Sequence, residues 1–551
     1  MRRASAVLLG WLIGLPLAFV ASAYVGRYYP AWAAPIIAIL AITLAGVAAQ
    51  YILRGGRHWL ASPLHLLTIL LALAFVLAVI CLCLRYPNLF ARSLFLPTRT
   101  VQVYFGSLAL LALASIAWSV KKINTIADSP RWSTVRSFVQ ENLPGIVLGG
   151  LFFLTYAALA QVFNRPGVDT TENFLAADNF AWLDRLASSG GTLTEMRAVH
   201  PFAYLIFRPA VALLSIVFNG DRTAATFLLV PMMGGLCVLL IWMFVKKWTG
   251  SETYASLIAC LLGVSTAHLL FASIIETYIF SAAVLLLFFL LLLRERTSLF
   301  TLVAVGTLTF GITITNFIQT FIAFCVARPK LKAIFWYGLL VSAAAIALTL
   351  LHAALYPSAL VFFLPSGTSV ENEYAIPIFG QPAWRLAGRA ILLVRTIFLY
   401  SIVAPEPFIL TEEVGGFFPR FNFFKITPGN FHYSGYDGAG QLLAALWMLL
   451  VCAAGLAFVW RLVRTRKTDL TLAFALCILF NFLLHMGYGY EPFLYSANWT
   501  YALILFVALS LSELADRRWF QAVLLLFLGL LIFNQWKFMQ LIFDSISPFL
   551  T

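Results

Sequence analysis

Apolar runs of about 20 residues, the length at which a helix crosses the hydrocarbon core of a bilayer, recur along almost the whole of this chain. Lipid offers backbone N–H and C=O groups no partner, so such runs must form helices that satisfy their own hydrogen bonds. A membrane barrel would need short alternating segments, and these are absent. With 62% hydrophobic and 11% charged residues over 551 positions, the chain is predicted to be an all-α polytopic membrane protein with roughly fifteen transmembrane helices.

Charge orients it. A net charge of +14 would suit nucleic acid in a soluble protein, but here the basic residues collect in alternate loops: Arg54, Arg57, Lys121, Lys122, Lys246, Lys247, Arg294, Arg296, Arg328, Lys330 and Arg461 to Lys467. That pattern marks the cytoplasmic side and argues for membrane lipids, not nucleic acid, as the surroundings. Most acids fall on the other, exoplasmic side, among them Asp169, Glu172, Asp178, Glu276, Glu371, Glu373, Glu412 and Glu413. The seven cysteines sit in apolar runs without metal-ligand spacing and read as core fillers. The opening Met1-Arg2-Arg3, an apolar run and Ala21-Ser22-Ala23 imitate a signal peptide; because further apolar runs follow at once, the segment is expected to stay as the first helix.

Four units are expected. Residues 1–143 form an N-terminal four-helix membrane bundle, and 144–356 a membrane core with an exoplasmic loop at 164–224. A long exoplasmic loop with an interfacial helix follows at 357–440, and C-terminal membrane helices occupy 441–551. Within the first loop the apolar stripe of 170–188, ended by Ser189-Gly190-Gly191, predicts one interfacial helix, and Pro201–Val217 a second. The run 299–327 is long for one span and carries Thr313, Thr315, Asn316 and Gln319 in its middle. It is predicted to be two half-spans, because such polar interruptions are tolerated where they line a cavity.

The chemistry is expected in the polar island Gly167-Val168-Asp169-Thr170-Thr171-Glu172, since carboxylates beside a span are costly unless they handle a polar substrate. Asp169 with Glu172 three residues on can be a capping box serving a helix alone, or a general base with its neighbour; the residues themselves leave both open. Asp178 is the alternative base, against a plain role on a solvated face. His200, before Pro201, can start a helix, orient an acceptor or bind a phosphate oxygen. Glu276 is the one charge between two apolar runs. Arg385, Arg389 and Arg395 lie in an otherwise apolar exoplasmic helix, where they can snorkel to headgroups or fork a phosphate. Glu491 lies in an aromatic-rich turn, which suits an interfacial belt or a sugar-stacking surface.

The order of these features resembles the GT-C glycosyltransferases, most closely the protein O-mannosyltransferase-like branch. Asp-Thr-Thr-Glu at Asp169 to Glu172, Ala176-Ala177 on the same predicted helix, His200-Pro201, and Gly311-Ile312-Thr313-Ile314-Thr315-Asn316 stand where that branch carries its motifs, over roughly residues 144–330. Val168, Phe202 and Phe317 depart from the branch's pattern. The resemblance implies transfer of a sugar from a polyprenyl-phosphate-linked donor to a protein, glycan or lipid acceptor. Asp169 would be the base, Glu172 its neighbour, and His200, Glu276 and Asn316 would contact substrate. It calls for no organic cofactor and leaves a divalent metal open. The implied setting is a bacterial inner (plasma) membrane with the site on the exoplasmic side. The rival readings are a lipid-linked-sugar flippase, which would share the helices but carry charges at mid-membrane depth, and a non-catalytic subunit of an envelope complex.

Overall fold

In the computed structural model, which describes residues 3–55, 62–90, 96–127, 130–165, 172–188, 196–294, 296–410, 419–465 and 469–549, the apolar runs are mostly helical. The chain forms α1 (Arg3–Gly26), α2 (Ala34–Gly55), α3 (Pro63–Arg85), α4 (Arg99–Ala127), α5 (Pro130–Glu141), α6 (Leu143–Phe163), α7 (Asn179–Ala187), α8 (Ala203–Ser215), α9 (Arg222–Thr249), α10 (Glu252–Val264), α11 (Thr266–Phe271) and α12 (Tyr278–Leu292). It continues with α13 (Leu299–Ile312), α14 (Asn316–Ala327), α15 (Leu331–Leu355), α16 (Pro365–Asn372), α17 (Ala383–Arg395), α18 (Gly438–Thr465), α19 (Leu470–Met486), α20 (Ala497–Ser510) and α21 (Arg518–Ile546). Among the described residues, nine helices (α1 to α4, α6, α9, α15, α18 and α21) are long and apolar enough to cross a membrane. The apolar helices α8, α10, α12, α13, α14, α19 and α20 are shorter.

At the centre lie α10, α12 and α20, apolar all round and buried along nearly their whole length, as helices enclosed by other helices must be. The centre is wrapped by α3, α6, α9 and α21 on the side of α10, and by α13, α14 and α19 on the side of α12 and α20. Glycine permits the closest crossing: a Cβ on Gly149 of α6 would stand 2.8 Å from the Gly235 carbonyl of α9, so the two backbones touch directly.

The expected N-terminal bundle of four is three plus one. Helices α1, α2 and α4 share a small core of their own around Ala38, Ile42, Ala112 and Ile116. Helix α3 instead places Phe75, Val79 and Leu82 in the main core, and Tyr86 after its end donates to Asp544 Oδ1 at 2.5 Å. The basic stretch 121–136, read from sequence as a loop, is helical in its described residues: Lys121 and Lys122 lie in α4, and α5 starts at Pro130.

Two helix breaks interrupt the apolar runs. The interruption in 299–327 is as predicted: α13 stops at Ile312 and α14 starts at Asn316. A second break, which the sequence did not suggest, separates α10 from α11 at Ser265. There the freed N–H groups of Thr266 and Ala267 donate to the carbonyls of Ile402 and Ser401 at 3.3 and 3.1 Å. Gln535 of α21 donates to Val264 and Ile402 at 3.0 and 2.8 Å. Such breaks persist because neighbours satisfy the backbone they free.

The segment between α6 and α9 differs from expectation. The helix predicted over 170–188 is only α7; residues 172–178 are a non-helical turn with Glu172, Leu175 and Ala176 at φ of 55°, 59° and 59°. These left-handed values are unfavourable for residues with a Cβ and are held by a later segment. Leu175 N–H donates to the Phe421 carbonyl at 3.1 Å, Phe421 N–H returns to Asn173 at 2.8 Å, and the Phe174 and Phe421 rings stack at 5.8 Å. Residue 421 lies in one of two small sheets that, among the described residues, qualify the all-α expectation. Phe408–Leu410 (β1) pairs antiparallel with Arg420–Asn422 (β2), and Phe424–Thr427 (β3) with Asn430–Tyr433 (β4). Helix α8 follows prediction, and its Arg208 donates to Arg185 O and Ser188 O at 3.1 and 3.2 Å, fastening it to the end of α7.

Candidate functional site

Three carboxyl-bearing residues from two segments come together, Glu172 and Asp178 from the 172–178 turn and Glu276 from far along the chain. Asp178 precedes the first residue of α7, and its N–H donates to Glu276 Oε1 at 2.7 Å. Glu276 occupies the turn between α11 and α12, is buried, and its second oxygen accepts from Thr277 N–H at 3.2 Å. Glu172 hydrogen-bonds the Asp178 side chain, with Arg420 of β2 nearby. Partial burial first, and then the Asp178 charge, raise the Glu172 carboxyl above its usual value, with Arg420 opposing. Burial, reinforced by Asp178, pushes Glu276 up to about 8. A helical capping box through Glu172 is excluded by its positive φ. Asp169 lies outside the described residues.

The Glu276 shift predicts a pH dependence. The unfolded carboxyl loses its proton near 4.5 and the folded one near 8, so the folded state binds more protons in between. The stabilisation from protonated Glu276 is fully present below about pH 4.5, declines as pH rises, and is lost above about pH 8. Thermal unfolding in detergent measured from pH 5 to pH 9 should show this decline, and Glu276→Gln should flatten it. An unchanged slope in that variant would assign the proton elsewhere.

A cavity of about 30 Å³ has Tyr278, two residues from Glu276, on its wall together with His200, Thr313 and Asn316. That is room for about two waters at most. Its walls come from the 197–200 segment, the α13–α14 break, and α19 and α20 with the turn between them. Gly311 shows why the segments fit: a Cβ there would stand 1.9 Å from the Phe202 ring, so Phe202, the departure from the motif, fills the space the glycine vacates. Ile314 N–H donates to Val199 O at 3.0 Å. His200 Nδ1 lies 2.6 Å from Ile312 O, and the Trp182 ring packs edge-on against it at 5.1 Å. Burial, with Arg197 and Arg185 adding to it, lowers His200 to about 3. The ring is therefore neutral; since a carbonyl can only accept, Nδ1 carries the proton and Nε2 is an acceptor. That suits orienting a hydroxyl, not binding a phosphate oxygen.

Asn316 donates to Asn498 Oδ1 at 3.0 Å and accepts from Gln319 at 2.9 Å, and Tyr501 donates to Gln319 Oε1 at 2.8 Å. Thr313 Oγ1, at the break and on the cavity wall, is buried with no partner among the described residues. A buried orphan hydroxyl beside a polar cavity is a place for a ligand's or water's hydrogen bond.

The chain matches no protein-family model, no curated protein and no solved structure.

The outer arginines and Glu491 do not converge on the carboxyl cluster as one group. Arg389 is buried and spends its donors on carbonyls: His485 at 2.8 and 3.0 Å, Tyr490 at 2.9 Å, Tyr488 at 3.3 Å, and Gly489. It clamps the turn after α19, where one buried carboxylate oxygen of Glu491 has no partner among the described residues; burial, opposed by Arg389, raises Glu491 to about 8. Arg385 is exposed, with its guanidinium 5.3 Å from the Trp384 ring. Arg395 lies 5.0 Å from the Tyr433 ring, beside an open groove of about 260 Å³ with Leu399, Tyr436 and Met448. Arg197 was passed over in the sequence; it pairs with Glu371 at 2.6 Å, donates to the Tyr488 hydroxyl at 2.9 Å and stacks on Tyr374 at 3.6 Å. An arginine three residues before His200 was the available signal.

Proposed function

We propose that the protein is an integral-membrane inverting glycosyltransferase of GT-C type, moving a sugar from a polyprenyl-phosphate donor to an acceptor hydroxyl at the exoplasmic face of a bacterial inner membrane, with roughly fifteen spans. The observation that carries this reading is the meeting of Glu172 and Asp178 of one turn with Glu276 of another, near a cavity walled by His200, Thr313, Thr315 and Asn316. In this reading a carboxylate, Asp169 or else Asp178, takes the proton of the acceptor hydroxyl as it attacks the anomeric carbon, which inverts in a single displacement. The carboxyl cluster supplies acceptors, and neutral His200 offers a lone pair to a hydroxyl. Arg395, at the mouth of an apolar groove, is the outer arginine best placed to meet the departing phosphate while the donor's tail stays in lipid.

Mass spectrometry of envelope glycans and glycoproteins from cells with and without the protein tests the reading. Loss of one glycosyl unit is the expected result. Loss of every unit derived from one lipid donor points to a flippase, and an unchanged profile leaves a structural subunit.

The topology has its own test. Cysteines introduced singly at Phe180, Val370 and Asn430 are expected to react with a membrane-impermeant thiol reagent from outside, while those at Thr125, Glu295 and Thr465 stay silent. Labelling of a cysteine at Lys330 from outside would overturn the placement of α13 and α14 as a re-entrant pair.

A further inference from the structure

The end of α13 remote from His200 carries a second cavity. Ile312, whose carbonyl meets His200, closes the helix; Leu299 opens it, roughly 20 Å away at 1.5 Å per residue. There the first turns of α13 and α15 and the last turn of α14 leave a cavity of about 310 Å³. Leu302, Phe324 and Ala333 give it an apolar floor, and Arg328 and Lys330 stand on its rim.

Charge collects around that rim. Arg294, Arg296, Arg328, Lys330 and Lys332 are accompanied between residues 294 and 332 by a single acid, Glu295, which lies outside the described residues. The two basic segments are joined, since Arg328 Nη2 donates to the Arg294 carbonyl at 3.3 Å. Beside these cations stand Phe300, Leu331 and Phe335, which are 82%, 85% and 62% exposed. Bulky apolar side chains this open belong in hydrocarbon, and cations beside them belong at a headgroup layer.

We propose that this cavity binds one anionic phospholipid, with its phosphate between Arg328 and Lys330 and the start of an acyl chain on Leu302, Phe324 and Ala333. A soluble phosphate would leave the apolar floor wet, and a zwitterionic lipid would bring its own cation against the rim. An anionic lipid satisfies both parts, and basic pockets between helix ends at a membrane surface suit such headgroups. The proposal rests on the membrane-embedded fold alone, so it stands or falls independently of the glycosyltransferase reading.

Native mass spectrometry of the full-length protein in neutral detergent tests it, with dioleoyl phosphatidylglycerol and dioleoyl phosphatidylcholine as probes. The protein should retain one phosphatidylglycerol in clear preference to phosphatidylcholine. The double variant R328Q/K330Q should lower that retention roughly 25-fold, about fivefold for each cation, while K121Q/K122Q, in another basic stretch, should change it little. Ala333→Trp keeps every cation but fills the floor, and should also abolish retention; glycerol 3-phosphate at equal concentration should not displace the lipid. Equal retention of the two lipids, or equal losses in the two double variants, would overturn the site. So would full retention in Ala333→Trp or displacement by glycerol 3-phosphate, either of which leaves a phosphate contact without a lipid pocket. If R328Q/K330Q does not fold, the lipid preference, Ala333→Trp and the competition still decide.

Discussion

Replacing Asp169 by Asn is expected to leave the protein folded in the membrane and to lower sugar transfer by about two to four orders of magnitude, the usual consequence of removing a general base. The amide keeps the shape of the carboxylate and cannot take a proton. The cluster geometry makes Asp178→Asn the necessary companion, because Asp178 is the member that both Glu172 and Glu276 contact. Full activity in Asp169→Asn with loss in Asp178→Asn would transfer the role to Asp178. Full activity in both would end the enzymatic reading. Transfer is measured with purified protein and a polyprenyl-phosphate sugar, and size-exclusion chromatography in detergent checks folding.

The second large effect is expected at Arg389, and it is of another kind. Its guanidinium holds carbonyls of the turn from His485 to Tyr490, so Arg389→Ala leaves several buried acceptors unpaired. The loss should be about 3–5 kcal/mol of stability, read as a drop in thermal midpoint and as lost activity at every donor concentration. Lys at 389 should recover little, as one ammonium cannot span the turn. Arg395→Ala should instead leave the thermal midpoint near its starting value and weaken donor use more than acceptor use. If Arg389→Ala folds normally and loses donor affinity alone, the clamp reading fails and the phosphate belongs at Arg389.

The helices of this protein were legible because lipid imposes a length and a composition on every span, and 299–327 was legible as a break because Thr313, Thr315 and Asn316 interrupt it. The break at Ser265 was not, since the groups that satisfy it come from Ser401, Ile402 and Gln535, far away in sequence. The turn at 172–178 was misread as helix for a related reason: the apolar stripe of Phe174 and Ala177 is real, yet both bury against tertiary neighbours without a helix to present them. Within the site, Glu276 and Asn316 were visible as isolated polar residues in apolar surroundings, and the structure brings Glu276 to Asp178 and Asn316 to Asn498. Arg389 shows the limit. Residue type and side of the membrane suggested a phosphate ligand, whereas the local shortage of hydrogen-bond donors for the turn after α19 gives it structural work.

The left-handed turn that carries Glu172 is held by the backbone of Phe421, and this sets a schedule for the growing chain. Roughly 250 residues must be synthesised between the two partners, which at ribosomal speed takes about 10–50 s. Through that interval the early helices can enter the bilayer, but the strand that fixes the carboxyl-bearing turn does not yet exist. The site is therefore among the last parts of the molecule to acquire its shape, and a nascent chain cut short before residue 420 would carry its acids in an unshaped loop.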